Sequence, residues 1–170
     1  MNYSYKDIIK SYSEEKQLSD KNHHFILYYI YRPISFPITW VLLKFNLTSN
    51  FVTVITILIS FSLIPLLISE FIIHKYIAAL MMFMYLVLDC VDGNIARTTK
   101  KSNKVGEFLD LFSGLLFWAI VFPSIGYGVL QENIILKDYG YLLSNVGYSI
   151  TILFFISRLL NQEVKNNLID

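Results

Sequence analysis

The sequence predicts an all-α integral membrane protein, a bundle of four transmembrane helices preceded by an N-terminal interfacial amphipathic helix. Three observations predict it. The 170 residues are 55% hydrophobic and only 16% charged, with a mean hydropathy of +0.51, a membrane composition rather than a soluble one. Long apolar segments recur along the chain. Lys and Arg gather at one set of segment ends: six before residue 48, four in 97–104 and two after 157, against one each at Lys75 and Lys137. That asymmetry puts both termini and the 97–104 loop in the cytoplasm, and four crossings satisfy the parity. The net charge of +1 argues against a dedicated nucleic-acid binder. Cys90 is the only cysteine, which excludes an intrachain disulfide and a cysteine metal cage.

Residues 1–24 carry Lys6, Asp7, Lys10, Glu14, Glu15, Lys16, Asp20 and Lys21, and read as a polar, solvated cytoplasmic segment with one short helix. They lack the basic start, apolar run and cleavage site of a secretory signal. His23 and His24 close the segment with no third ligand nearby, which suits an interfacial turn better than a metal site. Residues 25–170 then read as a single membrane domain.

In 25–46, Arg32, Pro33, Pro37 and Lys44 break the apolar run, so it is too interrupted to cross. Trp40, the tyrosines at 28, 29 and 31 and the basic ends suit a helix over 33–46 lying in the headgroup layer. Spans follow at about 48–69, 74–97, 105–130 and 138–160. Residues 51–68 hold 18 positions without a charge. In the second span only 13 apolar residues precede Asp89, and counting from 76 through 97 gives 22 residues, about 33 Å of helix, which matches a bilayer core. In the third, 111–130 is uncharged, and the fourth has its apolar part at 139–157. Pro65 and Pro123 fall inside spans, where kinks are tolerated.

Acids at membrane depth are costly and mark function. Asp89, Asp92, Gly93 and Ala96 follow an i, i+3, i+4, i+7 spacing and so share one helix face. Gly106, Asp110 and Gly114, four apart, share a face of the next helix. If the faces meet, three carboxylates converge on a cavity open to the cytoplasm, where mutual repulsion calls for a cation. Hard oxygen donors suit Mg²⁺, Mn²⁺ or Ca²⁺, and one or two such ions can clamp a phosphoryl group in transfer. The structural alternative is a neutralised cluster, with Arg97 and Lys104 paired to the acids. Cys90 is turned about 100° from Asp89 and reads as packing.

The same residues resemble the signature of the CDP-alcohol phosphotransferase family: Asp-x-x-Asp-Gly-x-x-Ala-Arg, eight residues, Gly, three residues, Asp, three residues, Asp. The chain matches it at Asp89, Asp92, Gly93, Ala96, Arg97, Gly106 and Asp110. The TSNFVT stretch at 48–53 and the RPISFPITWVLLK stretch before it also resemble family segments, and the likeness covers about residues 30–130. The resemblance implies metal-dependent transfer of a phosphatidyl or phospho-alcohol group, in phospholipid synthesis, from a CDP-alcohol such as CDP-diacylglycerol to an alcohol acceptor, with release of CMP. It implies one or two Mg²⁺ or Mn²⁺ ions on Asp89, Asp92 and Asp110. Gly93, Ala96, Arg97 and Gly106 would serve the substrate, with Asn50 and Thr53 as further candidates for the nucleotide pocket. It also implies a homodimer, and a bacterial plasma membrane is the expected location.

Two departures stand out. The family's fourth aspartate, a metal ligand and presumed general base, is Gly114 here; Glu107 is the nearby candidate to replace it. The family usually has six spans, and the missing pair helps wall the acceptor pocket; a fragment, a degenerate copy and a short form completed by a partner are the alternatives. Arg158 is a candidate for an acceptor phosphate, with orientation-setting charge as its other reading. Three functions follow for test: the transferase, a CDP-alcohol-binding or regulatory protein impaired by Gly114, and a small transporter.

Overall fold

A computed structural model describes residues 3–101, 104–132 and 137–167. These residues form helices with no strand among them: α1 (Tyr5–Lys10), α2 (Glu14–His23), a π-helical turn (Leu27–Tyr31) running into α3 (Arg32–Lys44), then α4 (Ser49–Ile68), α5 (Ile72–Thr99), α6 (Lys104–Glu132) and α7 (Lys137–Asn167). This agrees with the expected all-α membrane fold. Among the described residues three helices are long and apolar enough to cross a bilayer: α4, α5 and the stretch Lys104–Val129 of α6. The fourth span expected over 138–160 coincides with α7, whose apolar part is the shorter Ser144–Ser157.

The chain divides into two compact units, one of residues 1–59 and 80–113, the other of 60–79 and 114–170. The first begins with an arm of two capped helices where the sequence suggested one. Ser4 caps α1 through a reciprocal pair with Asp7, and Ser13 accepts from the Lys16 amide to cap α2, each supplying acceptors to otherwise orphaned amides. Most of the arm is exposed, but Ile8, Tyr12 and Asp20 are buried. Ile8 is fully buried, in a core with Leu43, Val52, Val87, Val91 and Ile95; burial of one such side chain contributes roughly 1.5–3 kcal/mol. The Thr98 hydroxyl, near the end of α5, donates to Ser11 Oγ at 3.1 Å.

Helix α3 buries an unusual stripe, Arg32, Ser35, Thr39 and Leu43, and exposes Pro33, Ile34, Pro37 and Val41. Its buried polar face has a partner on α5, described below. The Lys44 ammonium sits 3.4 Å from the centroid of the Trp40 ring, an amphipathic pairing suited to a headgroup layer. Asn46, at φ 55°, turns the chain out of α3 in the left-handed region that asparagine tolerates.

In the second unit, small residues set the helix spacing. A Cβ at Gly126 would meet the Ser144 backbone nitrogen at 2.5 Å, and one at Gly147 would meet Phe122 Cβ at 2.6 Å. Close backbone approach of this kind is the usual packing device of membrane helices.

Candidate active site

Helix α5 does most of the positioning. Its periodicity sets Asp89, Asp92, Gly93, Ala96 and Arg97 along one wall of a cavity of about 240 Å³ in the first unit. Helix α6 adds Gly106, Glu107 and Asp110, and α4 adds Ser49, Asn50 and Thr53. Thus all seven signature positions, with both α4 candidates and Glu107, come to one cavity. The three aspartates line it, and Asp92 lies within electrostatic reach of both others.

Asp92 is buried, and its Oδ2 accepts from Thr53 Oγ1 at 2.8 Å. Hydroxyl contacts continue from there. Thr56 Oγ1 donates to the Thr53 carbonyl at 2.7 Å and lies 2.8 Å from Ser113 Oγ, which is 3.1 Å from the Tyr85 hydroxyl. Such a chain satisfies polar groups that would be expensive to leave unpaired at membrane depth.

Arg97 is held by Asn94 on its own helix. Its Nη2 donates to Asn94 Oδ1 at 2.8 Å, and its Nε is buried without a hydrogen-bond partner. The guanidinium lies across Gly93, so the space left there by a missing side chain is taken by Arg97 itself. A guanidinium lining a cavity is chemistry that suits a phosphate oxygen.

Residues not singled out from sequence complete the wall: Lys16 from α2, Arg32 from the head of α3, and Lys101. Cys90, expected as packing, is buried and also lines the cavity. Asn94 lies behind the wall. Its amide donates to Ser35 Oγ at 2.9 Å and Thr39 Oγ1 at 3.3 Å, and its carbonyl oxygen accepts from both Arg32 and Arg97. This explains the polar stripe of α3. A lone asparagine between Gly93 and Ala96 on an apolar helix was the available signal.

Arg32 reaches back to the arm, where its Nε donates to Asp20 Oδ2 at 3.0 Å. Asp20 also accepts from the Tyr12 hydroxyl at 2.9 Å and lies 3.5 Å from Lys16 Nζ. Burial acts to raise the Asp20 pKa, but the Tyr12 hydrogen bond and the Arg32 and Lys16 charges outweigh it and hold the carboxyl below its ordinary value. Burial, then the adjacent carboxylate, pushes the Tyr12 phenol up.

Gly114 stands four residues beyond Asp110 on α6, and a Cβ added there meets no atom within 4 Å. The Arg158 side chain lies outside the described part of the structure, as do residues 102 and 103 of the basic loop.

The donor set is that of a hard divalent cation: carboxylate oxygens, with neither thiolate nor imidazole required. Among the described residues no three acidic, histidine or cysteine side chains are gathered closely enough to enclose an ion. A Mg²⁺-type site tolerates this, because one or two carboxylates suffice when water and substrate phosphate fill the remaining positions.

The site is thus a cavity lined by acids and an arginine, in a chain whose described residues include three helices long and apolar enough to cross a membrane. The family model for CDP-alcohol phosphatidyltransferase matches residues 46–163, and the chain belongs to that family. The family transfers a phosphatidyl group from a CDP-alcohol and is generally dependent on a divalent metal. No curated protein matches the chain.

Proposed function

We propose that this chain transfers a phosphatidyl or phospho-alcohol group from a CDP-alcohol, such as CDP-diacylglycerol, to an alcohol acceptor in phospholipid synthesis. The observation that carries this is the meeting of all seven signature residues on one cavity. The acceptor hydroxyl attacks the β-phosphorus, the bond from that phosphorus to the bridging oxygen breaks, and CMP leaves with the bonding pair. Asp89, Asp92 and Asp110 hold Mg²⁺ or Mn²⁺, one ion or two, which when bound neutralises the diphosphate and its developing charge. Thr53 fixes the Asp92 carboxylate. Arg97 offers its guanidinium to a phosphate oxygen. Glu107, on the same cavity, is the carboxylate that takes the acceptor's proton in place of the residue absent at Gly114. The charge asymmetry of twelve Lys and Arg against two supports a cytoplasmic site, and family kinship supports a homodimer.

The test is CMP release from CDP-diacylglycerol with Mg²⁺ or Mn²⁺ across a panel of alcohols. Metal-dependent release with one acceptor supports the proposal. No release with any acceptor, from a sample shown to be folded and to bind CDP, overturns it and supports the second reading, a binding protein without turnover. Gly114 is the observation that favours that second reading.

A further inference from the structure

The arm of α1 and α2, with α3 after it, precedes the family match at 46–163. It nevertheless reaches the signature helix through buried charge. Arg32 and Arg97 both donate to one acceptor, Asn94 Oδ1, at 3.4 and 2.8 Å. Two guanidinium groups sharing one neutral oxygen repel each other in a medium that screens poorly. Asp20 lies on the other side of Arg32, 1% exposed, and holds its Nε at 3.0 Å. Arg32 is 5% exposed and lies over the Tyr12 ring, with 4.9 Å from guanidinium carbon to ring centroid. The Asp20 carboxylate is therefore the counter-charge that lets a second cation stand beside Arg97.

We propose that Asp20 is a positioning residue for the nucleotide diphosphate: acting through Arg32 and Asn94, it holds the Arg97 guanidinium across Gly93 in the setting that binds a phosphate oxygen. Removing the Asp20 charge leaves Arg32 buried without its ion partner, a costly state that is relieved by rearrangement. The group free to move is the one that shares its acceptor. The arm thereby carries part of the substrate site although it lies outside the matched region. This inference rests on the functional reading above, because it takes the ligand of Arg97 to be a CDP phosphate.

The experiment is a double-mutant cycle on the purified full chain, titrating CDP in the presence of Mg²⁺ by calorimetry. Wild type, Asp20→Asn, Arg97→Ala and the double variant are compared, with Asp20→Glu as the conservative control. Asp20→Asn is expected to weaken CDP binding about tenfold in the wild-type background and scarcely at all once Arg97 is gone. Asp20→Glu is expected to recover most of the loss. If Asp20→Asn does not fold, Arg32→Lys enters the same cycle, since a lysine keeps the charge but cannot bridge Asp20 and Asn94. Losses that add across the cycle overturn the proposal, because a merely structural defect does not depend on Arg97. Absence of CDP binding by folded wild type overturns the functional reading and this inference with it, which distinguishes the two failures.

Discussion

A Cβ at position 93 would stand 3.2 Å from Arg97 Nη1 and 3.4 Å from Nη2: Gly93 is the floor on which the Arg97 guanidinium rests. The two positions are one helical turn apart, and the absence of a side chain at one gives the other its place.

Gly93→Ala therefore separates stability from function. Within a helix, alanine is favoured over glycine by about 1 kcal/mol, so thermal stability is expected to hold or rise. The added methyl pushes the guanidinium aside by a few tenths of an ångström or more. Transfer is expected to fall about 10–100-fold, since small misplacements near a reacting group are costly. Melting temperature and CMP release, measured on the same preparation, check both halves.

Gly114→Asp is expected to raise turnover. A side chain at 114 begins in open space, so the substitution has room, and a positioned base contributes about 10²–10⁴-fold. CMP release from the variant against wild type is the check. An increase marks a site in which an aspartate at 114 is a better base than Glu107. Unchanged CDP binding with no release in either form marks a binding protein.

The first unit's stability is expected to depend on Asp20 at low pH. Its folded pKa lies below the ordinary 3.8, so the carboxylate contributes stability that is fully present above the unfolded value. That contribution is lost as pH falls through the lowered folded value. Melting temperature followed down through pH 3.8 should drop for wild type, and Asp20→Asn should remove the part of the drop that Asp20 causes.

Much of this was legible in the sequence because it is written in local periodicity. The crossings at α4 and α6 follow from uncharged length, and that at α5 from counting the helix on through its acids to Arg97. The cavity wall follows from the three-and-four spacing of Asp89, Asp92, Gly93 and Ala96, which fixes a helix face whatever the tertiary fold. The Asp20–Arg32–Asn94 connection was not legible. Asp20 sits among seven other charged residues in 1–24, a stretch that reads as solvated. Arg32 reads as a headgroup anchor, and only its burial against a partner 62 positions away reveals otherwise. No periodic pattern encodes a contact of that separation.

The central claim is that three aspartates from two helices hold a divalent ion against the phosphates of a CDP-alcohol. Mn²⁺ binding followed by electron paramagnetic resonance, with and without CDP, tests it most directly in wild type and in Asp89→Asn, Asp92→Asn and Asp110→Asn. The expected result is Mn²⁺ binding that CDP strengthens in wild type and that each substitution weakens at least tenfold. CDP-strengthened Mn²⁺ binding that survives all three substitutions, or folded wild type that takes up no Mn²⁺ with CDP present, would contradict it.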